Sequence, residues 1–156
     1  MAIREIRIDG DPILKKVCRP VSKLSDRQQE LIDDMLETMY EANGVGLAAP
    51  QVGVLRRIVV IDVGEGPLVM VNPEITEKDG EQPGEEGCLS VPGKAAIVTR
   101  PEHVIARAFD RNMKEFSVEG TGLLARAICH ELDHLDGHMY TEIAESPLMD
   151  VKYDEE

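Results

Sequence analysis

The sequence predicts an α+β fold, with small, mostly antiparallel β-sheets packed around a buried helix that carries His130-Glu131-Leu132-Asp133-His134. Three observations predict it. Short β-branched runs, separated by turns rich in glycine and proline, fill the middle of the chain. An amphipathic helix precedes them, and a helix that is apolar almost all round follows them.

Residues 1–12 read as an extended arm that closes at the turn Asp9-Gly10-Asp11-Pro12. Residues 13–24 form a short connection broken by Pro20. Ser25 then caps a helix, with Gln28 at capping-box spacing. Leu31, Ile32, Met35, Leu36, Met39 and Tyr40 recur on one side of it, and Asp33, Asp34, Glu37 and Glu41 on the other. Asn43-Gly44 ends it. The stretch Gly44-Val45-Gly46-Leu47-Ala48-Ala49-Pro50-Gln51 reads as a tight loop, and Gln51, half-buried there, needs partners. Strands are expected at 57–63 and 67–72, joined as a hairpin by Gly64-Glu65-Gly66. Residues 77–84 read as a loop, and further strands are expected at 96–99, 103–109 and 115–118. In the final helix Leu123, Leu124, Ala127, Ile128, Leu132 and Leu135 predict burial, and Gly137 stands where a C′ glycine ends it.

The chain has 156 residues, which is expected to make one domain over 1–156 with a short acidic tail at 146–156. It has no Trp and 3% aromatics, so Leu, Ile, Val and Met must fill the core. Asp and Glu total 30 against 17 Lys and Arg, a net charge of −13. That balance argues against direct nucleic-acid binding and against an anionic membrane surface. No apolar run is long enough to span a bilayer. Charges at Arg4, Glu5, Arg7, Asp9 and Asp11 rule out the apolar core of a signal peptide. Three cysteines, an odd number, fit a reducing, cytoplasmic compartment better than a disulfide framework.

On a helix, His130 and His134 project from one face, about one turn apart. Two neutral imidazoles at that spacing can hold a divalent metal, and Glu131 can reach a water on it as general base. Cys129 points about 100° away and is no ligand by this geometry. A third protein ligand could come from Cys88, His103, His138 or a downstream acid such as Glu142 or Glu145. Cys88 is the thiol out of place, since it follows Gly87, sits among polar residues and comes after two acids. The long zinc-protease signature demands a third His three residues after Gly137, where the chain has Tyr140. A carboxamide at Gln51 that points into a cleft could donate to a developing oxyanion.

Three separated segments, G-V-G-L-A-A-P-Q (44–51), E-G-C-L-S (86–90) and H-E-L-D-H (130–134), resemble the three motifs of peptide deformylases, in the same order and at similar spacing. The resemblance runs from Asp9–Leu14 to about residue 143. It implies a metal held by Cys88, His130 and His134, typically one Fe2+ per chain that Ni2+, Co2+ or Zn2+ can replace. It implies hydrolysis of the formyl group from an N-formylmethionyl peptide, with a transient ribosome encounter. Glu131 would be general base and acid, and Gln51 and the Leu89 N–H would stabilise the oxyanion. Val45, Gly46 and Gly87 would border the peptide, and Leu123 and Ala127 would form an apolar pocket for methionine. Arg100 is expected to pair with Glu86 and hold the Cys88 loop.

Two departures stand out. Many relatives carry a larger or basic residue just after the Pro-Gly of the second motif, where this chain runs Pro92-Gly93-Lys94-Ala95-Ala96, so the wall near Ala95 is expected to be more open. The short tail ending Tyr153-Asp154-Glu155-Glu156 should be repelled by ribosomal RNA. Two rival readings differ in prediction. A metallopeptidase would use Glu142 or Glu145 and tolerate loss of Cys88. A structural metal module would fold with metal and turn nothing over.

Overall fold

The computed structural model describes residues 2–151. Helix α1 spans Asp26–Glu41, and the Ser25 cap forms as expected, with Gln28 N–H donating to Ser25 Oγ at 3.3 Å and Ser25 N–H to Gln28 Oε1 at 3.2 Å. Strands β1 (Gly46–Ala48), β2 (Ile58–Ile61), β3 (Leu68–Asp79), β4 (Gln82–Cys88), β5 (Val91–Arg100), β6 (His103–Phe109) and β7 (Glu115–Thr121) follow. Helix α2 spans Gly122–Leu135, and β8 is Met149–Asp150. One sheet has the order β1-β2-β3-β6-β7 and the other β4-β5-β8, and the strands of each ladder are antiparallel.

The larger sheet lies between the two helices. Its period-two alternation sends Ile58 and Val60 toward Leu31, Ile32, Met35 and Met39 of α1. Val59 and Ile61, with Met70, Val104 and Ala106, meet Ala125, Ile128 and Leu135 of α2. Ile128 is wholly buried there, and cutting it to alanine should cost about 2–5 kcal/mol. That packing fixes the roll of α2 and therefore which way its histidines face. Gly137, at φ +81°, ends α2 where a Cβ would meet Lys15 O at 2.6 Å.

Several expectations are corrected. Residues 77–84 are mostly strand: β3 runs to Asp79 and β4 begins at Gln82, with Gly80 at φ +74° turning the corner between sheets. Their polarity reflects strands whose ends face solvent. On α1 the apolar side ends at Met39, since Tyr40 is exposed and donates to Asp62. Asp34 is buried instead, accepting from Ala2 N–H at 2.7 Å and Arg4 Nε at 2.9 Å, so it pins the N-terminal arm. Leu123 on α2 is half exposed. The segment read as tail adds β8, with Lys94 and Ala95 of β5 opposite Asp150 and Met149. Ala95 and Val151 both line the cleft on that side, Ala95 itself being largely buried. The terminal acids at 154–156 lie outside the described residues.

Candidate active site

The two sheets and α2 meet around a cleft of about 570 Å³. Helix α2 contributes His130, Glu131 and His134, the end of β4 contributes Cys88, and a 3-10 turn over Ala49–Val52 contributes Gln51. Donor atoms of Cys88, His130 and His134 lie within 4.8 Å of one another. Cys88 Sγ is 3.4 Å from His134 Nε2, which is 3.2 Å from His130 Nε2. Val45, Gly46, Gly87, Leu89, Leu123 and Ala127 line the same cleft, and His134 sits behind it. The other candidates go elsewhere. His103 lies between Asp79 and Glu119 on the sheet surface, His138 contacts Glu142, and Glu145 accepts from Thr99. Cys129 packs in the core.

A buried charge network orients this cluster. Glu86 accepts from Arg100 Nε at 2.9 Å and Arg100 Nη2 at 2.6 Å, the pairing expected from sequence. It also meets His130 Nδ1 at 2.6 Å. Burial pushes the Glu86 carboxyl up, but Arg100 and His130 outweigh it and hold it at about 2. Glu86 is therefore an acceptor, His130 Nδ1 donates to it, and His130 Nε2 is left to face Cys88 and His134. The two Nε2 atoms can share one proton but not hold two. Burial opposes charge on His130, yet Glu131, Cys88 and Glu86 hold its pKa well above the ordinary value. Burial, His130 and Arg100 press His134 well below it. Burial lifts Glu131 to about 7, and among the described residues no donor reaches its Oε1.

Small residues let these groups meet. A Cβ at Gly46 would collide with the Glu131 carboxylate, and one at Gly44 would meet Leu89 Cδ1 at 2.6 Å. Gln51 is fully buried, not half-buried. Its Oε1 accepts from Ala48 N–H at 2.9 Å, which turns Nε2 toward Ser90 Oγ at 3.0 Å and Cys88 Sγ at 3.5 Å. The N-terminal arm straps both loops down: Arg7 N–H donates to Gln51 O at 2.7 Å and Asp9 N–H to Ser90 O at 2.8 Å.

Sequence reasoning missed Arg126, Asp133, Ser90, Ile6 and Val151. Arg126 carried a signal, a cation inside an apolar helix, and Asp133 stood within the His-Glu-x-x-His run. Ile6 and Val151 had none, because the cleft receives them from opposite ends of the chain.

A donor set of one thiol and two imidazoles, with Cys88 and His130 open to the cleft, fits a divalent transition metal. Residues 3–148 match the family model described as polypeptide deformylase. A peptide deformylase of Agathobacter rectalis is 67% identical over 155 residues, covering 99% of this chain and 98% of that one. One from Lachnoclostridium phytofermentans is 59% identical, covering 100% and 98%. Among solved structures, a peptide deformylase from Legionella pneumophila is similar at TM-score 0.89 and 47% identity, covering 93% of this chain and 87% of that one. A Synechococcus elongatus peptide deformylase in complex with actinonin has TM-score 0.89 and 40% identity, covering 92% and 80%.

Proposed function

Since this chain belongs to the polypeptide deformylase family, we propose that it hydrolyses the N-formyl group from the N-terminal formylmethionine of new polypeptides, releasing formate. It would act in the cytoplasm after a transient encounter with the ribosome. No helix among the described residues is long and apolar enough to cross a membrane. One observation carries the reading: three donor atoms within 4.8 Å of one another, beside a cleft that Glu131 and Gln51 also line.

Cys88, His130 and His134 would hold one Fe2+, replaceable by Ni2+, Co2+ or Zn2+. When bound, such a metal supplies Lewis acidity, bringing the pKa of water toward neutrality and polarising a carbonyl oxygen. Glu131 takes a proton from the attacking water and passes it to the leaving amine, so water adds across the amide bond and a free amino terminus remains. Its elevated pKa, about 7, suits a group that both accepts and returns a proton. Gln51 Nε2 and the Leu89 N–H donate to the oxyanion, and loss of one such donor costs about 10²–10³ in rate by general precedent. Backbone at Val45, Gly46 and Gly87 aligns the peptide, and Leu123 and Ala127 receive the methionine side chain.

The test is formate release, measured without oxygen on Fe2+-loaded protein. A short formyl-Met peptide is compared with its acetylated and free-amine forms, and Glu131→Ala and Cys88→Ala run alongside. Turnover of the formyl peptide alone, lost in both variants, is expected. Metal bound without turnover, or cleavage of an internal peptide bond, would overturn the proposal.

A further inference from the structure

One buried cation beside the cleft has no part in the chemistry above. Arg126 sits on α2 one turn before His130 and is 8% exposed. Its Nη1 donates to Glu86 Oε1 at 3.0 Å and to Val98 O at 3.0 Å, and its Nη2 donates to Gln82 O at 2.7 Å. The notch is shaped for a guanidinium: a Cβ on Gly84 would come within 3.2 Å of Nη2.

Glu86 does not need this arginine for neutralisation, because Arg100 already grips it through two nitrogens. Arg100 also donates through Nη1 to Asp133 Oδ2 at 2.7 Å, so two arginines face two carboxylates. What Arg126 adds is direction. Arg100 Nε and Arg126 Nη1 converge on Oε1, and Oε2 is left to Arg100 Nη2 and His130 Nδ1. Two rigid planar forks on one carboxylate fix its plane, and the carboxylate fixes the imidazole.

We infer that Arg126 is a positioning residue: with Arg100 it sets the plane of Glu86, and through Glu86 it aims His130 Nε2 at the point shared with Cys88 and His134. Arg126 also lines the cleft beside Leu123 and Ala127. One side chain thus joins the wall offered to substrate to the orientation of a donor. The inference rests on the metal-site reading proposed above.

The test uses the full chain loaded with Co2+ without oxygen. The thiolate-to-cobalt and d–d absorption bands, the cobalt affinity by chelator competition, and the melting temperature of the metal-free protein are recorded. R126M keeps the apolar stem and removes the donors. It is expected to bind cobalt about 10–100-fold more weakly, with shifted d–d bands and a fall in kcat that exceeds any change in KM. R126K, which keeps the charge but not the fork, should fall between R126M and the unaltered chain. G84A crowds the guanidinium without removing it, and Gly84 has no left-handed backbone to forbid alanine. It should weaken cobalt in the same direction by a smaller factor, and it decides the matter if R126M does not fold. A lowered melting temperature with cobalt affinity and bands unchanged would make Arg126 a strut between β4, β5 and α2, and would overturn the inference alone. Absence of a thiolate–cobalt band in the unaltered chain would overturn the metal-site reading and this inference with it.

Discussion

Gly46→Ala should disable the chain through one methyl group. Gly46 lies in β1 opposite Ile61, and its φ is not in the left-handed region, so alanine fits the backbone. In an unobstructed strand the change would be neutral or mildly stabilising, by about 0.4–1 kcal/mol through the unfolded chain. Here the new Cβ would lie 2.9 Å from Glu131 Cδ, against an ordinary contact of at least 3.4 Å. The carboxylate must therefore withdraw by half an ångström or more. Glu131 is 4% exposed and held on a packed helix, so it has little free space to retreat into. Overpacking of this kind costs about 1–3 kcal/mol, and a displacement approaching 1 Å at a reacting group can cost about 10²-fold in rate. We expect kcat for formate release to fall about 10- to 100-fold, with metal stoichiometry retained and the melting temperature lowered by a few degrees. Continuous formate detection on a formyl-Met peptide, beside metal analysis and thermal melting, checks this. A folded, metal-loaded G46A with undiminished kcat would refute the reasoning, because Glu131 would then not need its present position.

Other outcomes follow from the same geometry. In the native metal-free protein, iodoacetamide should modify Cys88 first, and bound metal should protect it. Cys18, lifted to about 11 by burial, and Cys129, also raised by burial, should stay unreactive, and peptide mass mapping reads all three. Arg100→Ala leaves the buried Glu86 carboxylate to Arg126 and His130 alone, takes the partner from Asp133, and should cost up to about 3–5 kcal/mol in urea unfolding. A loss below about 1 kcal/mol would mean that Arg126 compensates alone. Burial pushes Asp34 up, but Ala2 N–H and Arg4 more than offset it, leaving its pKa below the ordinary 3.8. Its grip on the arm is therefore complete above that value and is lost as pH falls through the lowered one. Protection of the Ala2 amide, taken against the unprotected exchange rate at each pH, should fall across that window, and Asp34→Asn should remove the dependence.

How much of this was legible follows from what each signal measures. Ser25 and Gln28 announced α1 because a cap is a local device, complete within four residues. The strand at Ile58–Ile61 was legible as a continuous β-branched run, but its register and its place between two helices were not, because both its faces are buried and no alternation marks them. Asp79 and Gln82 misled because their strand pairing is satisfied by partners about 20 residues away, while their side chains look like loop. At the site, the residues that chemistry requires were visible as motifs. Those that hold them were not. Arg126 is held by Glu86 and by carbonyls on β4 and β5, and no spacing rule reports a carbonyl. Asp34 was assigned to solvent because periodicity cannot foresee an arm that returns to cover it.

The corner at Gly80 bears on how the molecule comes together. Consecutive strands β3 and β4 enter different sheets there, which carries the chain across to the sheet whose β4 ends at Cys88, while the two histidines come from α2. Cys88 and His134, 46 positions apart, meet only after α2 has docked between the sheets. Contacts of such long separation form late and are among the first lost when a helix detaches. If the proposed centre holds metal, its release gauges α2 docking. In a temperature or urea ramp, cobalt colour should fade before the sheet signal in the far ultraviolet declines, which makes the centre an internal reporter of tertiary structure.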